Sequence, residues 1–207
     1  MNSTQWKRKT ASWRVYRRPG KPYEAPPTEQ DLDAFEQHFS FQLPLSYRAF
    51  ALLMGPGTVS GFCTIATPGC KSEQSDLNSL NRSKQKNWKK IAELLDRRMT
   101  PEGLEQLGRL ITMAVAPDGI DFGWDPKDIS PEGGHEQGIY LVRRTPEGHV
   151  EKVAATFDEF ILDFCMGPRY FDFFPYDPKT PDDPDYPFSE PRESYDPVPL
   201  KKRPKRK

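Results

Sequence analysis

The chain predicts an α+β fold: an antiparallel sheet flanked by helices, with a two-helix N-terminal corner and extended tails. Three observations carry that prediction. Two hairpin signals occupy the second half, one around Asp118-Gly119 and one around residues 145–148, and hairpins imply antiparallel pairing. Amphipathic helical stripes lie before and after them. The order helix, helix, strand, helix, strands, helix lacks the regular βαβ alternation of a parallel sheet.

The corner comes first. Thr28, after Pro26-Pro27, is placed to cap a helix whose first turns carry Glu29, Asp31 and Asp33, the favourable charge sign at a helix N-terminus. Leu32, Phe35 and Phe39 form its apolar stripe. Leu43-Pro44 then stops and restarts the chain, because proline disfavours helix for the residue before it and suits the first turn of the next. Tyr47, Phe50, Ala51 and Met54 make the second stripe, and Gly55-Pro56 ends it.

Residues 58–67, TVSGFCTIAT, read as one strand from their β-branched and aromatic content. A helix is expected over residues 83–98, with Trp88, Ile91, Ala92 and Leu95 on one face and Lys84, Lys86, Lys89 and Lys90 around it, a run read as a solvated helix face. From Arg109 the pattern turns to strands and the two hairpins. Thr156-Phe-Asp-Glu159 has the form of a capping box, and Phe157, Phe160, Ile161 and Phe164 stripe the closing helix before Gly167-Pro168. Phe171, Phe173 and Phe174 are expected to pack before the tail departs. Prolines 175, 178, 181, 184 and 187 then recur at the three-residue period of polyproline II, which predicts a stiff tail or a strap laid over the domain.

The formal charge of the 207 residues is zero, and that balance conceals an asymmetry. Residues 1–27 carry seven basic and one acidic side chains, residues 28–166 fourteen and twenty-one, and residues 167–207 nine and eight. The folded part is therefore acidic between a basic leader and a KKRPKRK terminus. Trp6 and Trp13 in the leader are expected to anchor it to the domain. The expected organisation is a basic N-terminal segment over residues 1–26, a domain over 27–174 and a Pro/Asp-rich tail over 175–207. No apolar run reaches the roughly 20 residues of a membrane span, no secretory h-region is present, and three cysteines form no paired framework, which together point to a cytoplasmic setting.

Reaction chemistry finds little support. His38, His135 and His149 lack catalytic company in sequence; Glu132, His135 and Glu136 offer metal-ligand types without an HExxH or a second histidine at helical spacing. Asp118, Asp121, Asp125 and Asp128 do not match an EF-hand and are ordinary turn formers beside glycine and proline. No GxSxG, P-loop or GxGxxG motif occurs. The expectation is a protein that is not an enzyme, with no metal and no cofactor.

The LP and YRAF of the corner, the LITMAVAPDGIDFGWDP hairpin, the IYLV strand and the ATFDEFILDF closing helix together resemble the SUKH superfamily over residues 27–166. That superfamily contains the fungal cell-wall synthesis regulator domain and many bacterial toxin-immunity proteins. The chain departs from it where Met54-Gly55-Pro56-Gly57 replaces the frequent Asn-Gly, and in its lysine-rich insertion and prolyl tail. The resemblance implies a non-enzymatic binding scaffold, in bacteria usually an inhibitor of a secreted polymorphic toxin of nuclease or deaminase class. An acidic domain without a reaction centre suits steered association with a basic protein partner. The contact is expected around Asp118, Asp121, Asp125, Asp128, Glu132 and Glu136, with Trp124 as aromatic anchor. The alternative is a nucleic-acid-associated or regulatory scaffold that uses Lys201, Lys202, Arg203, Lys205, Arg206 and Lys207.

Overall fold

A computed structural model describes residues 1–17, 22–95, 99–130, 135–143, 149–169 and 193–199, and of Asp118 and His149 the main chain alone. Among the described residues, six helices and eight strands build an α+β fold around one open, mostly antiparallel sheet. The helices are α1 (Ser3–Thr10), α2 (Glu29–Phe39), α3 (Leu45–Met54), α4 (Leu77–Leu95), α5 (Pro101–Arg109) and α6 (Phe157–Glu159), the last widening into a π turn over Phe160–Cys165. The strands are β1 (Arg14–Val15), β2 (Gly57–Val59), β3 (Cys63–Ile65), β4 (Ile111–Ala116), β5 (Ile120–Ile129), β6 (Gln137–Arg143), β7 (His149–Ala154) and β8 (Ser194–Pro197). Their order across the sheet is β1-β8-β2-β3-β4-β5-β6-β7, antiparallel except where β1 meets β8.

The corner forms as its residues predict. Thr28 caps α2 in a box with Asp31: the Asp31 N–H donates to Thr28 Oγ1 at 3.2 Å, and the Thr28 N–H donates to Asp31 Oδ2 at 2.8 Å. Arg48 of α3 then gathers Glu29, Asp33 and Glu36 of α2 at 2.5, 2.8 and 3.0 Å, locking the two helices together. The Tyr47 hydroxyl donates to the Ala66 carbonyl at 2.7 Å, joining α3 to the strand region beneath it.

The main core lies between one face of the sheet and α1, α2, α3 and α6. Phe35, Tyr47, Phe50, Phe122, Trp124, Phe157, Phe160 and Phe164 are all fully enclosed there. Trp6 of α1 joins them, edge-on to Phe50 at 5.1 Å, with its indole N–H donating to the Ser46 carbonyl at 2.8 Å. The basic leader is thus anchored by Trp6 and Trp13, as its composition predicts.

Four elements differ from expectation. Residues 58–67 are a hairpin and not one strand, because Ser60 and Gly61 both take positive φ (56° and 68°), which turns the chain between β2 and β3. Helix α4 begins at Leu77, where the Asp76 carboxylate accepts from the Ser79 N–H at 2.9 Å. Helix α5 is additional: Thr100 caps it and Pro101 opens it, while Gly103 and Gly108 weaken its helical signal. Residues 194–197, expected within a stiff tail or a strap laid over the domain, form strand β8, held between β1 and β2. The turn around residues 145–148, residues 171–174 and the proline series at 175–187 lie outside the described residues.

Candidate functional site

The sheet is covered unequally. Alternation along β6 sends Ile139 and Leu141 into the main core and Val142 to the opposite, outer face, where it meets Leu107 and Leu110 of the α5 region. Helices α4 and α5 roof that outer face. Asn81 fastens α4 to β4: its side-chain amide donates to the Thr112 carbonyl and its oxygen accepts from the Thr112 N–H, each at 2.9 Å, at the place where the β4–β5 register shifts. Trp88 leans onto α5 at Gly108, where an added Cβ would lie 2.8 Å from the indole. Over Val142 and Val150 the roof stands open, leaving a cavity of about 320 Å³ walled by Trp88, Ile91, Leu95, Met99, Leu107 and Leu110. Leu94 lines it at the rim and is 62% exposed. Pockets of this size, mainly apolar with a few polar groups, are the ordinary form of a binding site.

A salt-bridge cluster ties α5 to β5. The Asp125 carboxylate accepts from Arg109 Nε at 2.7 Å and Nη2 at 2.6 Å, from Gln106 Nε2 at 2.9 Å and from the Lys127 N–H at 3.0 Å. Burial by itself raises this carboxyl, but the Arg109 guanidinium and the other donors hold it below the usual carboxylate range. Glu105 bridges to Lys127 at 2.8 Å and is likewise lowered, chiefly by that contact. Further along the sheet, Tyr140 donates to Asp128 at 2.9 Å, and Lys152 pairs with the same carboxylate. Burial, reinforced by Asp128, pushes the Tyr140 hydroxyl up to about 12.

The structure separates the residues expected to gather as an acidic contact. Asp121 lines the cavity, and Asp128 is half-buried on the same outer side. Trp124 is a correction: alternation along β5 places it with Ile120 and Phe122 in the main core, stacked on Phe41 at 5.6 Å, where no partner reaches it. Asp125 is a second correction, since its side chain is 2% exposed and consumed by Arg109. Glu136 is a third. It sits in the core, where its carboxylate accepts from the Ser46 N–H and hydroxyl and from the Phe157 N–H. Glu132, Lys201, Lys202, Arg203, Lys205, Arg206 and Lys207 lie outside the described residues, as does the Asp118 side chain. The cavity residues Trp88, Ile91 and Leu95 do appear in the sequence as a helical stripe; what that stripe leaves unfilled is invisible there.

His135 is exposed in a left-handed turn, with its neighbour Glu136 turned inward. Among the described residues no group of three or more His, Cys, Asp and Glu side chains converges as a metal site. None of the described helices is long and apolar enough to cross a membrane.

A helix-roofed, mostly antiparallel sheet with a buried aromatic core and an apolar recess on its second face is an α+β scaffold. The chain matches the SMI1 / KNR4 family (SUKH-1) over residues 26–163, and it belongs to that family. Domains of this family are in general non-catalytic binding modules. Comparison with curated proteins and with solved structures gives no match.

Proposed function

We propose that this chain is a non-enzymatic protein-binding module of the cytoplasm, an immunity protein that neutralises a cognate polymorphic toxin of nuclease or deaminase class by surface binding. The observation that carries this reading is the family match across residues 26–163. The outer face supports it with a recess suited to receiving an apolar group of a partner, with Asp121 in its wall. The test is co-expression with a candidate toxin domain taken from an adjacent reading frame. Restored growth and a stable complex on size-exclusion chromatography are expected; a toxin that stays active in the presence of the folded protein removes the reading.

The alternative function rests on the KKRPKRK terminus. It predicts duplex DNA or RNA binding that weakens steeply with salt and disappears when residues 201–207 are deleted. Toxin neutralisation is unaffected by that deletion.

A further inference from the structure

We infer that the flank of α4 beside the open recess is a docking surface for an acidic protein segment that carries apolar side chains, with the apolar groups entering the recess and the acids meeting α4. This inference rests on the protein-binding reading above and specifies the chemistry of the partner segment.

The geometry of α4 supplies the first part. Trp88 leans towards α5, and Ile91, Leu94 and Leu95 of the same helix line the cavity together with Val142 and Val150, with Leu94 the exposed one. At 3.6 residues per turn, Ile91, Leu94, Lys90 and Lys86 follow one another around the helix from the interior to solvent. Apolar depth, exposed leucine rim and cationic border are therefore contiguous. The 62% exposure of Leu94 places an apolar group in water beside a cavity that is itself apolar.

Charge chooses the sign of the partner. Helix α4 carries Arg82, Lys84, Lys86, Lys89 and Lys90 against Glu93 alone. Lys86, Lys89 and Lys90 are exposed and make no ion pair among the described residues, whereas Asp125 is engaged by Arg109, Asp128 by Lys152 and Tyr140, and Glu105 by Lys127; Asp121, the one acid in the cavity wall among the described residues, also has a partner. The domain is acidic in sum, yet among the described residues the exposed charge on this flank of α4 is positive. The basic partner expected from bulk charge would meet the wrong sign here. A partner with acids flanking apolar anchors is complementary in both respects.

The experiment uses the full chain and fluorescence anisotropy with three probes: a short labelled peptide of Glu and Leu at helical spacing, its Lys/Leu counterpart, and a DNA duplex. The expected result is saturable binding of the Glu/Leu peptide, with the other two weaker by about tenfold or more. Lys86→Glu with Lys90→Glu weakens that binding about tenfold and reduces its salt dependence. Val142→Trp, which fills the recess, also weakens it about tenfold, and exposed Leu94→Gln gives the same direction without a core change. Absent Glu/Leu binding, binding unaltered by all three variants, or tighter binding of the duplex overturns the inference. The candidate toxin domain separates the two readings. Neutralisation that is equal for wild type and every α4 variant leaves the immunity reading standing and removes this surface; peptide binding as described with no neutralisation keeps the surface and removes immunity.

Discussion

Glu136 caps Ser46 across the core: its carboxylate accepts from the Ser46 N–H at 2.9 Å and from the Ser46 hydroxyl at 2.7 Å. Helix α3 needs this help because its own cap position is Pro44, which makes no side-chain cap bond. The same carboxylate accepts from the Phe157 N–H at 3.3 Å, so one side chain serves the N-termini of both α3 and α6. The unsatisfied N–H groups and positive end of a helix favour an anion at that place.

Glu136→Gln keeps the shape but turns one acceptor into a donor, which then faces N–H groups. It should lower stability by about 2–3 kcal/mol, and Ser46→Ala by about 1 kcal/mol. Urea denaturation of both variants and of the double variant should show non-additive losses. An unchanged midpoint for Glu136→Gln would contradict the shared cap.

The Arg109–Asp125 pair predicts acid sensitivity. Since the folded-state pKa of Asp125 lies below its ordinary value, the unfolded chain takes up the proton first as pH falls. The stabilisation is complete above the ordinary carboxylate range and is lost as pH falls through it towards the folded value. Asp31, lowered by its bonds to Thr28, adds in the same direction. Asp125→Asn should cost about 1.5–3 kcal/mol at neutral pH and flatten the acid limb of stability against pH. An acid limb as steep as that of wild type would contradict the assignment.

The cysteines should be unreactive. Burial pushes the Cys70 thiol up; a backbone bond from Ser72 opposes this and the Glu24 and Asp76 carboxylates add to it, leaving the group at about 11. Cys165 is raised by burial and by its contact with Cys63. Iodoacetamide at about pH 8 should label neither Cys70 nor Cys165 rapidly in the native state, because the thiolate is the nucleophile, and Cys63 is shielded from the reagent by burial. Fast native-state labelling of Cys70 would show that its surroundings are more open than described.

Strand β8 depends on Tyr195, whose hydroxyl donates to the Gly55 carbonyl at 2.7 Å and whose ring occupies the space a Cβ on Gly57 would need, 2.2 Å away. Tyr195→Phe should cost about 1 kcal/mol, and Gly57→Ala about 1–3 kcal/mol through overpacking. Thermal melting of both variants measures the difference. Equal melting temperatures for Gly57→Ala and wild type would mean that β8 docks elsewhere.

The N-cap at Thr28, the Leu43-Pro44 break, the stripe of Phe157, Phe160, Ile161 and Phe164 and the turn at Asp118-Gly119 were all legible, because each is specified within a few residues. The Thr156 capping box was legible in half: Thr156 accepts from the Glu159 N–H, but the Glu159 carboxylate reaches the Ala155 N–H one residue earlier. Trp124 was misplaced although the means to place it was present. In IDFGWD, alternation puts the tryptophan on the same side as Ile120 and Phe122, and the neighbouring aspartates drew it instead into a surface cluster.

By itself the sequence determined the helical corner, the two antiparallel hairpins, the closing helix and hence the family, since caps, turns and apolar periods act over short separations. Tertiary structure alone decided that Glu136 reaches Ser46, that Arg14 lies beside Ser194, and that α4 and α5 leave a recess over Val142. Those outcomes depend on which distant segments share one core and on how completely two layers fill the space between them. Neither quantity is written in any local pattern of residues.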